Sequence, residues 1–344
     1  MKKKKIKLWI AVSLVVSGLL LFAGLMTALG WDFSRLSTVR YESVTHDIEQ
    51  PFYSISIDTK MADITFLPAE DGVGRVVADE TEKLKYSVSV EDGTLKIGLV
   101  DEREWHDRIG LFFVTPKLTV YLPQKEYEAL TIQASTGDVQ IPGDFTFARL
   151  TVEISTGDVT LGADVNGQTR VKTSTGDILV ENMTTGALDL RATTGDITVK
   201  NVNCVRNMDL SATTGRVSVM GIWCVGNIDV SIGTGEAELS DVRCKKLTTV
   251  GTTGDLCMKN VTANESFSIE RTAGDVTFDA CDAAEITVRT TTGDVKGSLL
   301  SSKMFAVSAT TGDVDVPPSS GDGKCEITTS TGDIQIEIVS IQPD

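Results

Sequence analysis

The stretch Ser135-Thr136-Gly137-Asp138-Val139-Gln140-Ile141 returns twenty residues later as Ser155-Thr156-Gly157-Asp158-Val159-Thr160-Leu161, and this return decides the fold. A glycine after Thr or Ala, usually followed by Asp, recurs at Gly137, Gly157, Gly176, Gly195, Gly215, Gly235, Gly254, Gly274, Gly293, Gly312 and Gly332, always 19 or 20 residues apart. Two residues after each glycine the side chain is apolar, from Val139 and Val159 to Ile334. Four after it is apolar except at Gly297; five before, the exception is Thr249, and seven before, Thr169. Apolar residues at a spacing of two on both sides of a glycine describe two half-buried strands meeting at a corner. A unit of this size cannot bury its own apolar face, so it must stack on its copies. Two strands of about seven residues, plus two crossings of the ~10 Å between facing sheets, close a coil of about 20 residues. The expected fold class is therefore all-β, a parallel β-solenoid (β-helix) of about 20-residue coils, preceded by one transmembrane α-helix.

Working back from Gly137, the same apolar offsets occur around Ala62 (Ile55, Ile57, Ile64, Phe66) and around Gly93 (Tyr86, Val88, Leu95, Ile97). The expected organisation is a basic cytoplasmic tail over residues 1–7, a transmembrane anchor over 8–30 and a linker over 31–49. Degenerate N-terminal coils or a cap with insertions follow over 50–128, and regular coils over 129–340. The largest insertion carries Trp105, Phe112 and Phe113. Capping of an open edge accounts for these aromatics, and a partner-binding loop is the functional alternative.

From Leu8 to Leu29 there are 22 residues without a charge, about the length needed to span a bilayer as a helix. Trp9 and Trp31 flank the span, and Lys2, Lys3, Lys4, Lys5 and Lys7 precede it. The positive-inside rule then places the N-terminus in the cytoplasm and all that follows Trp31 outside. A cleaved signal peptide would have a shorter apolar region and a small-x-small site. The formal charge is -16, and setting aside the five lysines leaves 27 basic against 48 acidic residues, or -21. Such a surface argues against nucleic acid or anionic lipid as the main partner of the rod.

Any chemistry must lie in columns, because each repeated residue stacks on its copies. Nine of the eleven glycines are followed by Asp, with Arg216 and Glu236 as the exceptions. Carboxylates stacked at ~4.8 Å repel unless amides or cations compensate. An Asp after Gly that accepts backbone N–H bonds at the corner is the structural reading. A calcium column over Asp138, Asp158, Asp177 and Asp196 is the metal reading, although one Asp per coil supplies few ligands. Arg216, between Asp196 and Glu236, is expected to bridge both. Ser135, Thr136, Ser155 and Thr156 begin two hydroxyl columns that read as sheet-covering ladders or, alternatively, as a glycan surface. Cys204, Cys224 and Cys244 share one phase with Ala263, which fits free, buried, small side chains. His46 and His106 are the only histidines, so no catalytic triad and no His-rich metal site is expected, and no cofactor is implied.

The Ser-Thr-Gly-Asp-Val repeats, the segments Ile55-Ser56-Ile57-Asp58 and Asp63-Ile64-Thr65, and the single anchor resemble the bacterial adhesin-like β-strand-repeat domains of unknown function, LiaG-like envelope proteins among them. The likeness covers about residues 50–340. It implies a cell-surface β-solenoid, often encoded near envelope-stress systems, with no catalytic residues to carry over. The expected function is a non-catalytic cell-surface scaffold or binding protein, adhesin-like or associated with envelope stress, whose partner is a cell-envelope protein or glycan. The alternative is a polysaccharide-active β-helix enzyme.

Overall fold

The computed structural model describes residues 2–28, 30–31, 41–104 and 115–339, with the side chains of the N-terminal helix described from Val12 onward. That helix, α1, runs Lys2–Ala28. Among the described residues no helix is long and apolar enough to cross a membrane. Leu8 to Ala11 and Leu29, which complete the uncharged stretch, lie outside the residues whose side chains are described, as do Trp9 and the lysines.

The coils stack as the glycine spacing requires. In the ladder before the corner, Ile57, Ile132, Val152, Val171, Leu190, Leu210, Val230, Thr249, Ile269 and Val288 pair in parallel register, one per coil. In the ladder after it, Ile64, Val139, Val159, Ile178, Ile197, Val217, Ala237, Leu256, Val276 and Val295 do the same. These columns form the core and are essentially solvent-free. The exception Thr169 is buried with its hydroxyl bonded to that of Thr185 at 2.9 Å. Thr249 is buried with its hydroxyl unpaired.

The eleven corner glycines have φ between +119° and +146°. A Cβ at any of them would lie 1.8 to 2.1 Å from the carbonyl oxygen of the corner residue stacked against it. Both conformation and stacking distance therefore require glycine. Ala62 takes the corner of the first coil, where φ is not positive.

The two-sided coil inferred from the sequence has a third side. In the central coils a second corner falls six residues after the glycine, at Asn182, Asn201, Gly221, Asp241, Asn260 and Ala280, all left-handed with φ from +50° to +66°. Asn and Asp tolerate this region, and their side chains link successive coils: Asn201 donates to Asn182 at 3.1 Å, and Asn260 to Asp241 at 2.6 Å. Beyond this corner runs a third parallel ladder, Thr184 to Asn203 to Trp223 to Arg243 to Thr262 to Asp282. The crossing between facing sheets is thus itself a strand. It buries Val202, Ile222, Val242 and Val261 together with Cys204, Cys224 and Cys244.

Both ends depart from the regular winding. At the N-terminal end, Thr94–Asp101 pairs in parallel with Ser54–Met61, and Leu84–Glu91 closes antiparallel on it. Gly93 and Asp92, with φ of 72° and 49°, make the turn of this hairpin. The offsets around Gly93 that mimic a coil therefore come from two antiparallel strands sharing one buried face, because a period of two cannot distinguish a corner from a hairpin.

At the C-terminal end the coils exchange order. The strand ending at Thr292 pairs with Gly323–Thr331, which in turn pairs with Lys303–Thr311. Gly293 accordingly donates to Thr331 and Gly332 to Thr311, both at 2.9 Å. The Gly312 coil lies outermost, and the last coil in sequence is inserted beneath it. Ile327 and Ile334 of the inserted coil are fully buried, whereas Val314 of the outer coil is 44% exposed. The buried Lys303 ammonium reaches past the inserted coil to Asp282 at 2.7 Å.

Candidate functional site

At the principal corner the carboxylates form a ladder with the backbone. The Oδ1 of Asp138 accepts the N–H of Asp158, Asp158 that of Asp177, Asp177 that of Asp196, and Asp196 that of Arg216, at 2.7 to 2.9 Å. The same bond joins Asp255 to Asp275, Asp275 to Asp294, Asp294 to Asp333, and Asp333 to Asp313, following the exchanged coil order. Asp63 starts the ladder by accepting from Asp138 at 3.1 Å. Each carboxylate thus faces the amide dipole of the neighbouring coil, which offsets the repulsion along the column. The acceptor bond runs between coils and not within one turn.

Arg216 departs from the bridging role inferred for it. Its guanidinium reaches Glu236 at 2.9 Å, while Asp196 is held by its backbone N–H. A cation does join two carboxylates further along, where Lys296 lies 2.7 Å from Asp294 and 4.0 Å from Asp333. Lys296 and the Asp333 N–H hold the Asp294 carboxyl below its ordinary pKa. Among the described residues no group of three or more His, Cys, Asp or Glu side chains is placed to hold a metal ion.

The hydroxyl columns line the outside of the same corner. Ser135, Thr136, Ser155 and Thr156 are exposed, with Thr136 and Thr156 in register. All six cysteines are free, and all but Cys257 are buried. Cys204 and Cys224 are register partners, and Cys244 pairs with Ala263. Burial pushes the Cys244 thiol up to about 12.

A second carboxylate column escaped the sequence reading. Asp189, Asp209 and Asp229 stack in register on the first ladder. Asp189 is nearly buried and bonded by Arg170 and Arg191 at 3.0 and 2.8 Å. Asp209 lies 3.6 Å from Arg191, and its carboxyl is raised, first by partial burial and then by Asp189. The offset six residues before the glycine, which would have revealed this column, reads Thr, Arg, Ser, Ala and Glu in other coils, so it carries no repeat signal.

The third ladder carries the other feature that the sequence did not single out. Trp223 points outward and is 56% exposed, with Val225 at 61% beside it and Val205 at 56% on the preceding coil. The Arg243 guanidinium carbon lies 5.9 Å from the Trp223 ring centroid. Arg206 is also exposed and donates to the Gly186 carbonyl at 3.4 Å. The aromatics named as partner-binding candidates, Trp105, Phe112 and Phe113, lie outside the described residues, as does His106. His46 contacts Glu80 at 3.0 Å in the N-terminal antiparallel layer.

A family model described as Toastrack DUF4097 matches residues 52–240 and 224–342. No curated protein matches this chain. Among solved structures, a candidate lipid-binding protein from Parabacteroides distasonis ATCC 8503 is similar at 15% identity, over 76% of this chain and 98% of its own, with a TM-score of 0.46. A candidate adhesin from Parabacteroides merdae ATCC 43184 matches at 16% identity, over 76% and 97%, with a TM-score of 0.45. Another from Bacteroides fragilis NCTC 9343 matches at 14% identity, over 86% and 97%, with a TM-score of 0.35.

Proposed function

The chain belongs to the Toastrack DUF4097 family, and from that premise we propose that it is a non-catalytic, cell-surface binding rod, an adhesin-like or envelope-stress scaffold whose ladder faces meet a cell-envelope protein or glycan. The observation that carries this reading is the corner ladder: the Asp carboxylate that follows nine of the eleven corner glycines is engaged by the backbone of the next coil. What remains available is the outward surface of three flat ladders, a geometry suited to contact with an extended partner.

The rod is held at the membrane by its N-terminal helix, with the N-terminus cytoplasmic. Supporting this, Leu19, Leu20, Leu21 and Phe22 are consecutive along α1 and all exposed, so the helix presents apolar side chains on every face. The uncharged stretch Leu8 to Leu29 and the preceding lysines agree with that placement.

An enzymatic reading has one observation in its favour, the unlike surroundings of Asp189, nearly buried against two guanidinia, and of the exposed Asp209, since acid and base roles need two carboxyls in different environments. The deciding experiment incubates the full-length chain, in a non-sugar detergent, with purified envelope fractions and a glycan panel. Retention of envelope material without release of reducing ends is expected. Reducing-end release lost in Asp209→Asn would replace the binding role with a catalytic one.

A further inference from the structure

Resting on the reading of the rod as a binding surface, we propose that the third ladder around Trp223 is a site for an acidic polysaccharide, one whose sugars bear carboxylates. Trp223 lies in register between Asn203 on one coil and Arg243 on the next. Val205 and Val225, each just past the end of its strand, extend the same outward face. The inward neighbours Cys204, Cys224 and Cys244 are buried, so the strands beneath the patch are fixed by the core. The platform is therefore preorganised, and little ordering is needed on binding.

Charge selects the ligand. The chain has a formal charge of -16, yet the cation at this patch, Arg243, has no carboxylate partner among the described residues. An indole face beside an unneutralised guanidinium fits a ring with apolar C–H faces and a carboxylate on its edge. The sugar ring stacks on Trp223 while the Arg243 guanidinium takes the carboxylate in bidentate fashion. A neutral glycan would leave the guanidinium unused.

The test is calorimetric titration of the full-length chain, in a polyoxyethylene detergent, with polygalacturonate, with neutral dextran and with poly-glutamate. Polygalacturonate is expected to bind, and dextran to bind at least about tenfold more weakly. Trp223→Ala should weaken polygalacturonate about tenfold and Arg243→Gln about fivefold, both with an unchanged melting temperature because both side chains point outward. The proposal is overturned if polygalacturonate does not bind, if Trp223→Ala binds it as well as the parent, or if poly-glutamate binds as tightly. Envelope fractions retained without polygalacturonate binding would remove the acidic-glycan assignment and leave the binding rod standing. Failure to retain envelope material at all would remove the binding rod itself.

Discussion

Replacing Gly235 by Ala places a methyl group where the stack has no room. Gly235 has φ of +139°, and a Cβ there would lie 1.8 Å from the Gly215 oxygen and 2.7 Å from its carbonyl carbon. Real Cβ atoms do not approach closer than 3.0 Å, so the coils must part by about a quarter of their ~4.8 Å spacing. That parting strains the flanking rungs, Gly215 to Thr234 at 3.0 Å and Val217 to Glu236 at 2.9 Å. The backbone region itself costs a residue with a Cβ about 1–3 kcal/mol, and each weakened corner bond about 1 kcal/mol. The expected loss is about 3–5 kcal/mol, measured by urea unfolding of the full-length chain followed by circular dichroism. Because coils contact only their neighbours, the transition should also broaden or split at this point. The control is Gly98→Ala, where a Cβ meets nothing within 4 Å, and it should stay within about 0.5 kcal/mol of the parent. A Gly235→Ala chain within about 1 kcal/mol of the parent would refute the stacking argument.

Three further outcomes follow from buried or titrating groups. Arg271 is 3% exposed with all three guanidinium nitrogens unpaired, at a position occupied by Thr173, Thr290 and Thr329 in other coils, so Arg271→Thr should stabilise the chain by about 1–2 kcal/mol in thermal melts. A lower melting temperature would mean that the guanidinium has a partner. The raised carboxyl of Asp209 disfavours its ionised form in the fold, so its contribution is most favourable at low pH and declines as pH rises through its folded pKa. Asp209→Asn should accordingly gain stability relative to the parent at pH 7 and lose that advantage as the pH falls into the ordinary carboxylate range; a gain independent of pH would contradict the assignment. Alkylation of the native chain should modify the exposed Cys257 and spare the five buried thiols, read by peptide mass mapping, and labelling of Cys224 at a comparable rate would contradict its burial.

The corners and core columns were legible in the sequence because glycine, a following Asp and inward β-branched residues recur in one phase. The third ladder was not, because its corner is met by Asn, Asp, Gly and Ala alike, all residues small or polar enough for a left-handed φ. Nor was the exchange of the last coils, since Gly312 and Gly332 fit one template and only packing at the open end separates the two orders. Gly93 shows the opposite failure, a matching period with a hairpin behind it. Trp223 occurs once in its column, so a search for repetition passes over it. Its signal is a large aromatic at an outward position, visible only after the third ladder has set which positions face outward.

The central claim is that the corner carboxylates act as hydrogen-bond acceptors for the adjoining coil and not as charges or metal ligands. Its most direct measurement compares urea unfolding of two quadruple variants, Asp138, Asp158, Asp177 and Asp196 all replaced by Asn or all by Ala, with and without chelator. Asn keeps the Oδ1 acceptor, so that chain should match the parent to within about 1 kcal/mol, whereas the Ala chain leaves four inter-coil amides without it and should lose about 3–5 kcal/mol. Chelator should change neither. Equal losses for Asn and Ala, or a parent stability that falls when chelator is added, would contradict the account.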